Sequence, residues 1–498
     1  MKAILVFLTL VMGCSGDQPS AGDVVEDLGL APPLTTAESA SISIPPARDN
    51  NTVRLLINGE ASFAERMRMV AEAKESIYIQ ALIFKADTTG RAITEALIAR
   101  KRADPQLDIR VIVDTYANVQ DVDAQLMYFD LQNAGIDVEG FEAFYLHWLN
   151  EINLKDWLAG NKRYHEKYWI IDNKEAVVGG MNIADEYARC SSDPMLLWRD
   201  QDVLLAGPVV EDIQRAFLDN YSHFKDIKSS KGELLNPDTY WELWREKTPG
   251  AEMLEQAEEL KQAISDSVYG EEASVECTGT PVPTQTREDV NVRFIRARPR
   301  EGERYIHELY LEQINGAKKS IFIENAYFVP IEDLTGALSA AARRGVQVQV
   351  VTNSDKTNDI PMITIAGRAR YQRLIEAGVE VYEWHAEKFG EGTVHSKYAV
   401  FDDQIAVIGS YNLDPRSIGL NSEDVVVIDD PATAQELVSY SRDRDLALAE
   451  RITPEEAAQW VDPITLPVPP EKHLPWHDPR FDPKTFEYFL LRQIEGSL

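Results

Sequence analysis

Cysteine is nearly missing from this 498-residue chain, which has three: Cys14, Cys190 and Cys277. That is too few to staple a disulfide scaffold, so the fold has to rest on buried apolar cores. Positive charge is also short, with 50 Lys and Arg against 82 Asp and Glu and a net charge of -32. A surface this acidic repels polyanions, so no nucleic-acid partner is expected, although a local basic groove is compatible with it. Long hydrophobic runs are missing too, because nothing beyond the N-terminus approaches the roughly 18 to 20 unbroken apolar residues of a spanning helix. The rest is ordinary for a globular protein, 44% hydrophobic and 27% charged, and 498 residues suffice for two or more domains.

The first residues are a separate object. Lys2, the apolar run Ala3 to Met12, Gly13 and Cys14 follow the charged, apolar and small-residue plan of a secretory signal. The stretch VMGC also resembles the lipobox of bacterial lipoproteins, which implies cleavage before Cys14 and a diacylated cysteine holding the chain to a membrane surface. An ordinary cleaved signal with an incidental cysteine is the alternative. In that family an aspartate after the cysteine favours retention at the inner membrane; Ser15 stands there instead, which points to the periplasmic face of the outer membrane. Residues 1–13 are thus read as a lipoprotein-type signal peptide and 14–51, rich in Ser, Pro, Ala and Asp, as a flexible tether. In an exported chain Cys190 and Cys277 are either a disulfide or two buried thiols.

From Val53 the pattern alternates. Helix signals over Glu65–Ala73, Gly90–Lys101 and Ala124–Asn133 separate strand signals over Ser76–Phe84, Ile109–Asp114 and Ile136–Phe141. This predicts an α/β fold, a sheet sandwiched by helices. The series then recurs: AKESIYIQALIF from Ala73 parallels AKKSIFIENAYF from Ala317, and LDIRVIVDTYAN from Leu107 parallels GVQVQVVTNSDK from Gly345. LQNAGIDVEGF from Leu131 matches LIEAGVEVYEW from Leu374, and RYHEKYWIIDNKEAVVGGMN from Arg163 matches TVHSKYAVFDDQIAVIGSYN from Thr393. Matches in one order and register predict two duplicated domains, 52–224 and 290–430. Between them 225–289 reads as a connector, and 431–498 as a helix over Ala432–Arg451 with an aromatic and Pro-rich tail. Phe141 to Trp157 is aromatic-rich and is either an acyl-chain channel or a packed helix face.

The last repeat carries the chemistry. His165, Lys167, Asp172, Gly179, Gly180 and Asn182 recur as His395, Lys397, Asp402, Gly409, Ser410 and Asn412, both fitting H-x-K-x4-D-x6-G-[GS]-x-N. On a strand, residues two apart share a face, so each histidine lies beside its lysine. An ammonium has no lone pair for a metal, and neither copy has the paired His/Cys spacing of zinc centres, so no metal or cofactor is expected. The combination suits a phosphoryl group, with lysines on its equatorial oxygens and two histidines on opposite sides of one phosphorus.

These motifs resemble the phospholipase D superfamily, in particular its bacterial cardiolipin synthase-like members. YFVP from Tyr327, TNSDKTND from Thr352 and NLDPRSIGLNSE from Asn412 extend the likeness over about Val53 to Asp430. The resemblance implies paired domains packed pseudo-symmetrically around one metal-free site within a single chain. It assigns His165 as the nucleophile forming a phosphohistidine and His395 as general acid, with the reverse order open by pseudo-symmetry. Lys167, Lys397, Asn182, Asn412, Ser410 and Gly180 would surround the phosphoryl oxygens, and Asp172 and Asp402 would support the motif. A carboxylate behind each histidine would fix its tautomer, Asp200 from the first half, with Asp202 as alternate, and Glu423 from the second. Phospholipids are the implied substrates. The leading expectation is a phosphatidyltransferase acting on a phosphatidylglycerol-like acceptor, ahead of a phospholipase D, a nuclease and a non-catalytic lipid-binding lipoprotein.

Overall fold

The computed structural model describes residues 41–114, 122–141, 163–230 and 279–460. Cys14, the signal peptide, Cys277, most of the connector and of the Phe141–Trp157 stretch, and the tail after Trp460 lie outside them.

Strands form where apolar residues run unbroken between polar turns, as in Ser76–Ala81, buried over nearly its whole length. In the first half they are β1 (Arg48–Ile57), β2 (Ser76–Ala81), β3 (Asp108–Asp114), β4 (Asp137–Phe141), β5 (Tyr168–Ile171), β6 (Glu175–Gly179) and β7 (Gln201–Ala206). The second half repeats them as β8 (Thr286–Ala297), β9 (Ser320–Asn325), β10 (Gln347–Asn353), β11 (Glu380–Trp384), β12 (Lys397–Phe401), β13 (Ile405–Gly409) and β14 (Glu423–Asp429), and adds β15 (Ala449–Arg451). All fifteen join one mixed sheet in the order β15-β11-β10-β9-β12-β13-β14-β8-β1-β7-β6-β5-β2-β3-β4. That order is palindromic about the antiparallel β8–β1 pair apart from β15, so the duplication read from sequence is a two-fold relation between half-sheets.

Alternate side chains feed opposite layers. Along β5, Tyr168 and Ile170 enter a core that runs across both halves, whereas Trp169 and Ile171 enter a core confined to the first half. The second half has its own outer core, with Ile321, Ile323 and Val350. The shared layer is covered by helices Val209–Ser230 and Pro431–Tyr440, and each reaches over the seam, the first touching β8 and the second β1. Arg296 on β8 locks this contact by donating to Ala216 O at 3.1 Å and Asn220 Oδ1 at 3.0 Å.

Three boundaries differ from the sequence reading. Folded structure includes β1 from Arg48, within the residues assigned to the tether, and Ser43 donates to the buried Glu303 at 3.0 Å. The helix expected over Glu65–Ala73 spans Asn58–Glu72, because its polar start NGEAS carries no apolar periodicity although Gly59 packs against the backbone of Tyr187 and Ala188. The helix expected to Arg451 stops at Tyr440 and continues as a wide turn over Ser441–Asp445 before β15. There Asp445 is drawn inward to Arg199, 3.1 Å away, a buried contact the helix pattern does not reveal. Trp460 packs against Tyr371 and under Arg368.

Candidate active site

Each motif opens just before a strand and closes on a hairpin. His165 and Lys167 lead into β5, and His395 leads into β12, which begins at Lys397. The hairpins β5–β6 and β12–β13 turn through residues with positive φ, Asp172 (54°) and Asn173 (52°), Asp402 (55°) and Asp403 (54°), a conformation Asp and Asn tolerate best among residues with a Cβ. The Asp172 carboxylate accepts from the amides of Lys74, Glu75 and Ser76, and that of Asp402 from Lys318, Lys319 and Ser320. The motif aspartates therefore fasten each hairpin to the start of β2 or β9, and their carboxylates do not meet the histidines.

The histidines meet the carboxylates of the opposite half. His165 Nδ1 is 2.8 Å from Glu423 Oε2, and His395 Nδ1 is 2.9 Å from Asp200 Oδ2. Backbone bridges enforce the crossing. His165 N donates to Ser422 O at 2.8 Å and Ser422 N to Arg163 O at 2.8 Å, while His395 N donates to Arg199 O at 2.7 Å and Arg199 N to Thr393 O at 2.8 Å. The sequence reading placed one carboxylate in each half; the fold sends each to the other half's histidine. Asp202, the alternate, is tied instead to Arg66 at 2.7 Å and Ser62 at 2.5 Å.

The two pairs differ. Glu423 also accepts from Ser410 Oγ at 2.5 Å, Ser417 Oγ at 2.7 Å and Asn421 Nδ2 at 3.4 Å. Burial pushes its carboxyl up, but His165, Lys167 and the Ser410 hydroxyl outweigh burial and hold it below its ordinary value. Burial, opposed by Glu423 and helped by Lys167, pulls His165 down to about 4. At neutral pH this pair is an ionised glutamate and an uncharged imidazole donating through Nδ1, with Nε2 left as a lone pair.

Asp200 is one methylene shorter and has Gly180 where the other half has Ser410. A Cβ on Gly180 would come within 2.8 Å of Asp200 Oδ1 and 2.9 Å of Oδ2, so the glycine makes room for this carboxylate. Without the serine, burial lifts Asp200 to about 7, with Lys397 opposing and Asp202 adding to the rise. Burial and the neighbouring Lys397 push His395 well below its usual range.

Both lysines are buried and turn back on their own histidines, Lys167 Nζ donating to His165 O at 2.6 Å and Lys397 Nζ to His395 O at 2.5 Å. Burial lowers Lys167 to about 8 and Lys397 to about 7, against the pull of nearby carboxylates. Asn182 accepts from Ile83 N at 3.1 Å and donates to Tyr187 OH at 2.9 Å, so its amide braces the site wall. Asn412 is buried, and its Oδ1 has no hydrogen-bond partner among the described residues.

Sequence reasoning missed the surroundings of His395. Trp198 stacks on its ring with centroids 5.3 Å apart, Tyr187 meets it edge-on at 5.0 Å, and Tyr327 lies at 6.2 Å. Tyr327 OH donates to Asp359 at 2.8 Å. Tyr327, Asp359 and Ser417 sit in the stretches YFVP, TNSDKTND and NLDPRSIGLNSE that carry the family likeness, but nothing in the sequence assigns these three residues a role. Trp198 carries no such signal. Cys190 is disulfide-bonded, and both other cysteines lie outside the described residues.

The family described as cardiolipin synthase, PLD-like domain, matches residues 67–219 and 310–443, more than half of the chain. The chain belongs to this family. One matched segment falls in each half of the sheet, short of β1, β8 and β15, which establishes a pair of phospholipase D-like domains. Similar proteins include the probable cardiolipin synthase YwiE of Bacillus subtilis (strain 168), 27% identical over 81% of this chain and 68% of that protein. Cardiolipin synthase A of Pseudomonas fluorescens (strain SBW25) is 28% identical over 83% of this chain and 72% of its own length. The chain thus spans about two thirds of the length of these relatives. In fold it is similar to the phosphatidylserine synthase of Haemophilus influenzae Rd KW20, with a TM-score of 0.57, 15% identity, and coverage of 96% of this chain and 100% of that one.

Proposed function

We propose that this cardiolipin synthase-family protein is a phosphatidyltransferase. It moves a phosphatidyl group from one phospholipid through a histidine to an alcohol acceptor of the phosphatidylglycerol type. The observation that carries the reading is the pair of crossed dyads at one seam, each histidine accompanied by a buried lysine.

The difference between the dyads supports an order of events. His165, with Glu423 ionised behind it, offers Nε2 to the phosphorus, and the bond to the donor's leaving alcohol breaks. The His395–Asp200 pair keeps its extra proton close to neutral pH because Asp200 is lifted to about 7. That proton goes to the leaving oxygen through His395 Nε2. The acceptor hydroxyl then returns a proton to His395 as its oxygen displaces His165. Lys167 and Lys397 neutralise the non-bridging oxygens, and the anion restores to both ammonium groups the charge that burial discourages.

Arg163 and Arg416 favour an anionic partner over a neutral one. They come from opposite halves to the His165 side of the seam, where Arg163 lies 3.5 Å from Asp114 and Arg416 is lowered by burial and by repulsion from Arg163. The exported, Cys14-anchored state and a Cys190–Cys277 disulfide belong to the same proposal, and labelled-palmitate incorporation lost in Cys14→Ala checks the anchor.

The test is to incubate purified protein with labelled phosphatidylglycerol and, separately, phosphatidylethanolamine, and to resolve the products. Cardiolipin supports transfer, phosphatidic acid reassigns the enzyme to hydrolysis, and turnover of neither lipid removes both readings.

A further inference from the structure

Large apolar side chains are scarce on the described surface, and they are not scattered. Those exposed are Met195 (39%), Leu196 (40%), Ile360 (45%), Met362 (41%) and Phe389 (63%). Their sequence positions are far apart, yet the fold collects them on three turns that meet around His395.

The first turn, Pro194–Leu196, runs directly into Trp198, which stacks on His395. The second, Ala386–Phe389, runs into the segment ending at His395. The two are packed together: Gly392 N donates to Leu197 O at 3.3 Å, and a Cβ on Gly392 would strike Met195 O at 2.1 Å. The third turn holds Asp359, which anchors Tyr327 beside His395, and leads through Ile360 into helix Pro361–Glu376. Thr393 Oγ1 donates to Thr357 O at 2.6 Å and ties this turn to the second. The apolar tips and the leaving-group histidine are thus carried by the same three pieces of chain.

Among the described residues these five are the large apolar side chains that face water, on a chain of net charge -32. Lys356 and Lys388, on the same turns as Ile360 and Phe389, have side chains 69% and 49% exposed. They pair with Asp355 and Glu450 at the surface, so the charged groups stay at the water side while the apolar tips project beyond them. A substrate with two acyl chains resists leaving the bilayer, since each methylene drawn into water adds to the cost. The reacting phosphate stays at headgroup depth, so the site has to come down to it.

We infer that these three turns form a membrane-docking rim. Met195, Leu196, Ile360, Met362 and Phe389 enter the outer part of a phospholipid surface and set the His395 end of the seam at headgroup level. The inference deepens the proposed function, resting on its phospholipid substrates, and its partner is the lipid surface itself, separate from any anchor at Cys14.

Two measurements on the full-length protein test it. The first compares turnover of phosphatidylglycerol in vesicles with turnover of dihexanoyl phosphatidylglycerol dissolved as monomers. The triple variant Leu196→Ser, Ile360→Ser, Phe389→Ser is expected to lose roughly tenfold or more on vesicles and to keep the wild-type rate on monomers. An unchanged vesicle rate, or equal losses on both forms, overturns the rim. The second measurement needs no turnover, so it separates failure of the rim from failure of the proposed function. Phe389→Trp is mixed with vesicles brominated along the acyl chains. Quenching and a blue shift beyond those of wild type are expected, and emission identical to wild type overturns the rim even where an anchor holds the protein to the vesicle.

Discussion

His165 is hydrogen-bonded through Nδ1 to Glu423, 2.8 Å away and 258 residues further along the chain. His395 repeats the arrangement with Asp200, 195 residues earlier. A histidine therefore takes its tautomer from the half it does not belong to. The site exists only where the two half-sheets join, and the backbone bridges Tyr164–Ser422 and Arg199–Val394 are what hold the carboxylates to their partners.

The glycine in the first motif follows from the length of its carboxylate. A side chain at Gly180 would sit against both oxygens of Asp200, so Gly180→Ser is expected to displace that carboxylate and reduce turnover about 10- to 100-fold. Combining it with Asp200→Glu rebuilds the arrangement of Ser410 and Glu423 and should recover part of the loss. A double-mutant cycle measures the coupling; strictly additive losses contradict it.

The pH profile of kcat/KM should be set by four groups. One of them is Asp200, lifted by burial to about 7, whose proton serves the leaving group and is lost above that pH. His165 is lowered to about 4, so its lone pair is available above that pH. Lys397 and Lys167, lowered by burial to about 7 and about 8, lose their ammonium charge as pH rises through those values. Activity is expected to climb above about pH 4 and decline above about pH 7. In Lys397→Arg, whose charge does not titrate in this range, the alkaline limb should become shallower, because Asp200 is then the group of the two that still titrates near pH 7. A limb of unchanged slope shows that Lys397 does not contribute to it.

Asp402 is expected to serve stability. Burial would raise its carboxyl, but the amides of Lys319, Ser320 and Lys318 hold it below the ordinary value. A lowered folded-state value means the contribution is present above the unfolded-state pKa and is lost as pH falls through the folded one. Asp402→Ala should cost about 1–3 kcal/mol at pH 7, with a gap from wild type that is narrower at pH 3. Denaturant titrations at the two pH values check this, and an equal gap at both contradicts it.

The alternating strands and helices and the duplication were legible in sequence because they rest on local periodicity and on self-similarity. The motif residues were legible for the same reason. The crossing of Glu423 and Asp200 was not, since residues 258 and 195 positions apart leave no local pattern. The aromatic surround of His395 was hidden by asymmetry: Tyr187 occupies the place that Ser417 fills in the second copy, and comparing the repeats shows only a mismatch. Ser417 was likewise visible as part of NLDPRS, but its bond to Glu423 appears only once the loop folds back.

Arg416 is expected to act on the acceptor. Burial and then the charge of Arg163 lower the Arg416 guanidinium, and an incoming phosphodiester would oppose both. Arg416→Gln should raise KM for phosphatidylglycerol about tenfold with kcat little changed. Initial rates over a range of acceptor concentration separate the two parameters, and a fall in kcat alone would place the residue elsewhere in the reaction.

The most direct measurement of the crossed arrangement is rapid-quench trapping of the covalent adduct with labelled phospholipid, followed by peptide mapping. Glu423→Gln, which lies in the second half, is predicted to abolish phosphorylation of His165 in the first half. Asp200→Asn is predicted to leave the adduct on His165 while slowing both its formation and its turnover, because His395 loses the proton partner it needs in both steps. An adduct on His395, or an adduct lost in Asp200→Asn and retained in Glu423→Gln, would contradict the account.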